Sequence, residues 1–288
     1  MSDREGTSMT PTPRTALTIA GSDSGGGAGI QADLRTFFAC GVHGMTAITA
    51  VTVQNSLGVQ GFTEIPPEVV TAQIKAVATD MGVNAAKTGM LATAEIIREV
   101  AKTLDEVHIG RSTNVPFVVD PVAASMHGDA LLREEALEAI RTELFPRATL
   151  ITPNLDEVRL LTGVDVTDRE SQRHAADVLL EFGSQWVLVK GGHLEEDPDC
   201  VDLLSDGVQY IELSGHRYPT KHTHGGGDTL ASAITASLAH ELGVPDAVAE
   251  GKRFIERSVA EGYPLGAGIG PVSPFWRLEH HQAKPTLR

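Results

Sequence analysis

Short apolar runs alternate with amphipathic segments along most of the chain, and this alternation limits the possible folds more than any other feature of the sequence. The runs are rich in β-branched residues and apolar on both faces, which is typical of strands covered by helices on both sides. Between them, apolar side chains recur at helical spacing. Such repetition predicts an α/β protein with a mostly parallel sheet, helices on both faces and right-handed crossovers. The predicted strands are 16–20, 47–53, 85–88, 116–119, 149–151 and 186–189, and the predicted helices are 30–40, 66–80, 94–104, 133–144 and 169–181.

Two segments interrupt the alternation. Residues 51–62 resemble two extended pieces around a tight turn, with Asn55 and Gly58 as the turn residues. Later, an Asp-Gly pair at 206–207 separates two extended runs, which is a strong hairpin signal. We therefore expect an antiparallel hairpin over 201–213, followed by two long helices.

Composition excludes several classes of protein. The chain has 288 residues, with 23 Lys and Arg against 38 Asp and Glu, and its net charge of −15 argues against nucleic-acid binding because phosphate backbones are repelled. No apolar run approaches the roughly 20 residues that cross a bilayer, and no signal peptide is recognisable. Two cysteines favour a reducing compartment over a disulfide scaffold. We expect a cytoplasmic enzyme with a disordered tail over 1–13, one domain over 14–278 and a second tail over 279–288.

The first candidate site is a glycine-rich loop after the first predicted strand, residues 21–29 (GSDSGGGAG). Its glycines allow backbone N–H groups to approach a ligand closely. The loop lacks the Gly-Lys-Ser/Thr end of a Walker A loop, its spacing does not fit a dinucleotide-binding loop, and Asp23 stands where a nucleophile elbow has serine. The alternative is a flexible connection, although five glycines in nine residues cost backbone entropy.

The second candidate is residues 223–229 (THGGGDT), which lead into an alanine-rich segment. Three glycines at a helix start would leave N–H donors and the positive end of the helix dipole to bind an anion. A carboxylate at Asp228 can accept a proton from an attacking hydroxyl while the amides hold the transferring phosphoryl group. Alternatively, Asp228 only stabilises the helix N-terminus, an effect of about 0.3–1 kcal/mol.

Three histidines lie near this segment: His216, His222 and His224. They lack the cysteine partners typical of a zinc site, which favours surface or supporting roles.

The third candidate, residues 152–157 (TPNLDE), directly follows a predicted strand. Asn154 and Glu157 have nearly the spacing of a capping box, which would give them a purely structural role. In the functional interpretation the same side chains, joined by Asp120, hold a hydrated Mg²⁺. Ligands of open parallel sheets bind at the carboxyl ends of the strands. The segments expected there are 21–29, 87–90, Asp120, 154–157 and 190–192. That convergence points to an enzyme that handles a phosphorylated ligand.

Taken in order, the motifs resemble the ribokinase-like superfamily and, within it, the hydroxymethylpyrimidine/phosphomethylpyrimidine kinases of thiamine synthesis. The resemblance runs from about residue 16 to about residue 271. The opening ALTIAGSDSGGGAGIQADL at 16–34 is similar to that family almost residue for residue. The other matching motifs are VQN at 53–55, KTGML at 87–91, VDPV at 119–122, TPNLDE at 152–157, VKGGH at 189–193 and GIGPV at 268–272.

The resemblance implies a ribokinase-like three-layer fold and a kinase that uses ATP and Mg²⁺. Its reaction would be phosphorylation of the hydroxymethyl group of 4-amino-5-hydroxymethyl-2-methylpyrimidine, and then of the monophosphate to the diphosphate. The hairpin around 55–58 would cover the substrate or pack against a second subunit of a homodimer. By position in the motifs, the pyrimidine pocket would be lined by Gly21, Asp33, Gln54, Met90 and Val122. The catalytic residues, which form the anion hole, would be Gly225, Gly226, Gly227 and Asp228. The nucleotide would be bound by Asn154, Lys190 and Thr223, and the metal by Asp120 and Glu157.

At residues 225–228, which the resemblance implies are the anion hole for the transferring phosphoryl group, the chain departs from the family pattern. The pyrimidine kinases usually have Gly-Thr-Gly-Cys there and the sugar kinases of the superfamily have Gly-Ala-Gly-Asp, whereas this chain has Gly225-Gly226-Gly227-Asp228. An Asp is a better general base at neutral pH than a thiol with a pKa of about 8.5, so catalysis is not threatened. Two alternatives stay open: a pyridoxal/pyridoxine kinase or dual-specificity enzyme, and a non-catalytic pyrimidine-binding protein of the same fold.

Overall fold

The apolar runs of the sequence form the strands of one nine-stranded sheet, in a computed structural model that describes residues 11–122, 133–192 and 199–279. The strands are β1 (Thr15–Ser22), β2 (His43–Asn55), β3 (Gly58–Glu64), β4 (Ala85–Thr88), β5 (Phe117–Val119), β6 (Leu150–Ile151), β7 (Trp186–Val189), β8 (Asp202–Ser205) and β9 (Tyr210–Leu213). Their order is β3-β2-β1-β4-β5-β6-β7-β8-β9. The six strands from β2 to β7 in this order are parallel, while β3 at one end and β8 and β9 at the other are antiparallel.

Helices cover both faces of the sheet. They are α1 (Gly29–Ala39), α2 (Pro67–Asp80), α3 (Ala94–Glu106), α4 (Glu134–Ala139), α5 (Leu155–Thr162), α6 (Arg169–Glu181), α7 (Gly226–Ala239), α8 (Val244–Ala260) and α9 (Trp276–Glu279). Helices α2 to α6 contribute to one apolar core, with Ile74 and Ile97 among its buried side chains. Helices α1, α7 and α8 contribute to a second core, which includes Phe37 and Ile234.

Strands β1, β4, β5, β6 and β7 each contribute to both cores, which explains why runs such as those of β5 and β7 are continuously apolar. In β5, Phe117 and Val119 belong to the first core and Val118 to the second, since successive side chains point to opposite faces. All three are buried. The α/β architecture with a mostly parallel sheet, helices on both faces and late antiparallel strands is therefore confirmed.

The predicted segments agree with the structure to different degrees. Both β4 and α6 have the predicted bounds, and both hairpins are present. The predicted helix over 133–144 is wrong in its second half: α4 ends at Ala139 and is followed by a π-helical turn (Ile140–Leu144) and a 3₁₀ turn (Phe145–Arg147). Pro146 lacks an N–H and clashes with the carbonyl four residues earlier, so a regular α-helix cannot continue through it.

The two predicted tails fall largely outside the described residues. Residues 11–13 have no regular secondary structure, and Glu279, where the second tail was expected to begin, instead ends α9. In the three described stretches, no helix combines the length and apolar character needed to cross a membrane.

The topology brings the sequence motifs to one edge of the sheet. Because β1, β4, β5, β6 and β7 are parallel, their carboxyl ends lie at the same edge. The glycine-rich loop 21–29 follows β1, and the segment 152–157 follows β6. Helix α7 contacts β1, β4 and β5.

Candidate active site

A cavity of about 990 Å³ opens at the carboxyl edge of the sheet. Its walls come from the loop after β1, the ends of β5 to β7, and the N-terminus of α7. Asp33 is the one predicted site residue that does not line it. The predicted site residues in its wall are Gly21, Gln54, Met90, Asp120, Val122, Asn154, Glu157, Lys190, Thr223, Gly225, Gly226, Gly227 and Asp228.

Asp33 lies beneath the cavity rather than in its wall, contrary to the prediction. Helix α1 turns its side chain inward, where it is fully buried. One carboxylate oxygen accepts a hydrogen bond from Thr18 Oγ1 at 2.6 Å. The other accepts from Ser232 Oγ at 2.6 Å and from Lys87 Nζ at 2.9 Å. These three donors satisfy Asp33 within the protein.

The glycine triplet shapes the N-terminus of α7. Gly225 is the N-cap residue, with φ of 75°, a left-handed conformation that glycine adopts without a Cβ penalty. The amide of Gly226 donates to the carbonyl of Thr223 at 3.0 Å, so it is used by the turn rather than by a ligand. Since the first amides of a helix have no partner within it, Gly227 and Asp228 supply the donors best placed for an anion.

Asp228 stands in the first turn of α7, with its side chain 16% exposed. Burial raises the pKa of Asp228 to about 6; the ammonium of Lys87 opposes this rise, while the carboxylates of Asp33 and Asp120 add to it. The carboxyl group is therefore mostly ionised at neutral pH, yet its proton affinity is higher than that of an exposed Asp. Those are the properties required of a general base.

The glycine-rich loop is organised around the carboxylate of Asp23. Its two oxygens accept hydrogen bonds from the amides of Gly25, Gly27 and Ala28, at 2.7, 2.9 and 2.8 Å, and one of them lies 2.8 Å from His224 Nε2. Burial alone would raise the pKa of Asp23. The hydrogen bonds from His224, Ala28 and Gly25 outweigh burial, and the pKa lies below its usual value.

The loop 21–29 interlocks with the start of α7. A Cβ at Gly225 would overlap the carbonyl oxygen of Gly27, and a Cβ at Gly27 would overlap the imidazole of His224. The absence of side chains at both glycines thus allows the two segments to touch, and the Asp23–His224 contact joins them. The anion-binding amides and the loop after β1 form one unit.

The β2–β3 hairpin lies over one side of this unit. Gln54 Nε2 is 3.4 Å from His224 Nε2, and Ser24 Oγ donates to the Gln54 carbonyl at 2.7 Å. The tip of the hairpin is held from the other side, because the Ser56 carbonyl accepts from the amide of Ile269 at 2.9 Å. The closing motif 268–272 therefore fixes the hairpin over the cavity.

Lys190 brings the predicted metal-binding carboxylates together. Its Nζ lies 3.1 Å from Asp120 Oδ1 and 3.9 Å from Glu157 Oε2. Burial lowers the pKa of Lys190, but Asp120 and Glu157 raise it more, so the ammonium stays charged. A Cβ at Gly227 would stand 3.5 Å from this ammonium and 3.6 Å from Asp120 Oδ2, so both groups border the anion site.

Asn154 and Glu157 also form a complete capping box at the start of α5. Asn154 Oδ1 accepts from the Glu157 amide at 2.9 Å, and Glu157 Oε2 accepts from the Asn154 amide at 2.8 Å. Within the described ranges, no group of three or more His, Cys, Asp or Glu side chains could hold a metal by itself. Mg²⁺ usually takes one or two carboxylates together with waters and substrate phosphates, so Asp120 and Glu157 fit an ion that arrives with a nucleotide.

Comparisons with known proteins agree with this geometry. The sequence model of the phosphomethylpyrimidine kinase family matches residues 23–273. The chain belongs to this family. It is similar to a hydroxymethylpyrimidine/phosphomethylpyrimidine kinase of Mycobacterium tuberculosis, with 58% identity over 267 residues, which cover 93% of this chain and 96% of the relative.

Two solved structures of pyridoxal kinases have the same fold as this member of the phosphomethylpyrimidine kinase family. The Bacillus subtilis enzyme, solved as an ADP complex, has a TM-score of 0.84 and 38% identity, covering 93% of this chain and all of that one. The Staphylococcus aureus enzyme with AMP-PCP and pyridoxal has a TM-score of 0.81 and 33% identity, covering 91% and 94%. The ribokinase-like fold is thereby confirmed.

Sequence patterns did not reveal the role of Asp23 in the glycine-rich loop, and for His224 they indicated only a surface or supporting role. An Asp two residues before a glycine often bonds to nearby backbone amides, so the sequence did contain a signal for Asp23. No local pattern marks His224, because its partner Asp23 is 201 positions away along the chain. Only the fold brings them together.

Proposed function

We propose that this chain transfers the γ-phosphoryl group of ATP to the hydroxymethyl group of 4-amino-5-hydroxymethyl-2-methylpyrimidine, and then to the monophosphate, in thiamine biosynthesis. The observation that carries the proposal is the position of Asp228 in the first turn of α7, beside the amide of Gly227 at the cavity wall. The 58% identity to the hydroxymethylpyrimidine/phosphomethylpyrimidine kinase of Mycobacterium tuberculosis supports a pyrimidine acceptor over a pyridoxal-type acceptor.

In the proposed mechanism, Asp228 accepts the proton of the attacking hydroxyl as its oxygen bonds to the γ-phosphorus. The bond from that phosphorus to the bridging oxygen of ADP breaks at the same time. The amides of Gly227 and Asp228, with the ammonium of Lys190, stabilise the charge on the transferring group. Since the transition state is mostly stabilised by charge and position, these residues need no covalent intermediate.

The nucleotide would lie along the far side of the cavity from the hairpin. Lys190, Asn154 and Thr223 are the residues that we propose contact it. Asp120 and Glu157 would hold the Mg²⁺ that accompanies the phosphates, through oxygen atoms and bridging waters. The ion would supply neutralisation of the phosphate charge.

Because the reaction consumes ATP and both cysteines are free, we place the enzyme in the cytoplasm.

The acceptor pocket would be formed by Gly21, Gln54, Met90 and Val122. An amide such as that of Gln54 can both donate to a ring nitrogen and accept from an amino group. We expect Gln54→Ala to raise KM for the pyrimidine by about tenfold or more, since one to two hydrogen bonds are lost, and to leave KM for ATP unchanged. Steady-state kinetics with each substrate varied in turn measures this, and an unchanged pyrimidine KM would move the pocket elsewhere.

The pKa of Asp228 predicts the pH dependence of the first phosphorylation. The base must be ionised to accept a proton, so activity is present above its pKa and is lost as the pH falls through it. We expect kcat/KM for the pyrimidine alcohol to halve near pH 6, since kcat/KM reports the pKa of the free enzyme. A pH–rate profile checks this. A kcat/KM that is constant down to pH 4.5 would contradict the assignment of Asp228 as the base.

Pyridoxal is the second acceptor to consider, because the two solved structures described above are pyridoxal kinases that share this fold. An assay of ATP consumption with a panel of pyrimidine and pyridine alcohols compares the two. We expect the higher kcat/KM with the pyrimidine. A higher value with pyridoxal would reassign the substrate, and binding of pyrimidine without ATP turnover would indicate a protein that only binds.

A homodimer remains a prediction, with the β2–β3 hairpin as the surface for a second copy. Val51 and Val53 of this hairpin are 49% and 59% exposed. Sedimentation of the wild type and of a Val51→Lys, Val53→Lys variant tests the prediction. A monomeric wild type would contradict it.

A further inference from the structure

A buried ion pair beneath the cavity has no part in the mechanism described so far. Asp33 on α1 and Lys87 on β4 are both completely inaccessible, and their charged groups are 2.9 Å apart. Burying two charges is unfavourable unless other contacts compensate, so the presence of this pair calls for a reason.

The pair lies directly under the carboxylate of Asp228. Lys87 Nζ is 3.8 Å from Asp228 Oδ1, so one ammonium faces two carboxylates. Gly89 lies beside this contact, since a Cβ there would stand 3.6 Å from Lys87 Nζ and 3.7 Å from Asp228 Oδ1. Ser232, which donates to Asp33, lies one turn after Asp228 on the same helix.

We propose that Lys87 and Asp33 are positioning residues for Asp228: Lys87 keeps the Asp228 carboxylate ionised and directed into the cavity, and Asp33 holds Lys87 in place. This inference rests on the proposed function. The pair does not reach the substrate, since neither side chain lines the cavity. It acts through charge.

Among the described residues, the four groups with the largest effect on Asp228 come from the elements around it. Lys87 on β4 is the cation, Asp33 on α1 and Asp120 after β5 are the anions, and the amide of Gly29 donates a hydrogen bond. The two members of the buried pair therefore have opposite effects on proton binding by Asp228. Loss of the Lys87 charge favours the protonated form, whereas loss of the Asp33 charge favours the carboxylate.

The test is the pH profile of kcat/KM for the pyrimidine alcohol in Lys87→Met and Asp33→Asn variants. The acidic midpoint is the pH at which kcat/KM has fallen to half of its plateau on the acidic side. We expect it to move upward by about one pH unit or more in Lys87→Met and downward by up to about one unit in Asp33→Asn. Asp33→Asn keeps the shape of the side chain, so it provides the test if Lys87→Met does not fold. Lys87→Arg, which keeps the charge, should retain a midpoint closer to wild type than Lys87→Met does.

A control variant separates the effect of a lost charge on the pH profile from the effect of lost stability. Leu104→Ala removes a fully buried apolar side chain of α3 and changes no charge. We expect it to lower the melting temperature without moving the midpoint. The inference is overturned if the folded Lys87→Met and Asp33→Asn variants keep the wild-type midpoint. It is also overturned if both midpoints shift in the same direction. A wild type without any turnover overturns the proposed function, and the inference with it.

Discussion

We expect Asp228→Ala to lower kcat for phosphorylation of the pyrimidine alcohol by about 10²–10⁴-fold, the range for loss of a general base. The reason is geometric as well as chemical. Asp228 is in the first turn of α7, next to the amides that would hold the transferring group, and its pKa of about 6 suits proton acceptance at neutral pH. Single-turnover kinetics at saturating ATP measures the step. A decrease smaller than tenfold would remove Asp228 from this role.

The second phosphorylation provides an internal control for this variant. The acceptor is then a phosphate monoester, whose second pKa is about 6, so its attacking oxygen has already lost its proton at neutral pH. We therefore expect Asp228→Ala to impair transfer to the monophosphate much less than transfer to the alcohol. Equal losses with both acceptors would indicate that Asp228 acts in binding or in folding rather than as a base.

Gly225→Ala is expected to reduce kcat/KM by about 10²-fold or more, the effect of losing a preorganised donor to the transition state. A Cβ at this position would overlap the carbonyl oxygen of Gly27, so the loop 21–29 and the start of α7 must move apart. That movement displaces the amides of Gly227 and Asp228 from the phosphoryl group. Kinetics together with the melting temperature would record the change.

Gly82→Ala is the matched control. Gly82 has the same φ as Gly225, 75°, but a Cβ there would meet nothing within 4 Å. It therefore introduces the same backbone strain without the overlap. We expect it to lower stability by about 1 kcal/mol, because a residue with a Cβ disfavours the left-handed conformation, and to leave kcat/KM at the wild-type value. If both variants lost activity equally, strain rather than displacement of the anion site would be the cause.

Most of the fold followed from local patterns in the sequence. The runs that became β5 and β7 are apolar throughout, and the sheet buries both faces of each. Once these strands were placed, the rule that ligands bind at the carboxyl ends of parallel strands located the cavity, because the loop 21–29, Asp120, the segment 152–157 and Lys190 all come at strand ends. The segment 133–144 failed because apolar spacing alone does not reveal how a proline two residues later disturbs the preceding turns.

The site was harder to predict wherever a residue acts through a distant partner. Asp33 belongs to a motif that resembles the substrate pocket, but its orientation depends on Lys87 and Ser232, which are 54 and 199 positions away. The Asp23–His224 contact likewise joins residues that are 201 positions apart along the chain. Sequence patterns identify such residues as members of a motif, whereas only the packing of α1 against α7 shows which of them reach the cavity.

A crystal structure with a non-hydrolysable ATP analogue and the pyrimidine alcohol would test the central claim most directly. We expect the terminal phosphoryl group within hydrogen-bonding distance of the amides of Gly227 and Asp228, and the acceptor hydroxyl between that group and the Asp228 carboxylate. A terminal phosphoryl group bound away from the N-terminus of α7, or a hydroxyl out of reach of Asp228, would contradict it.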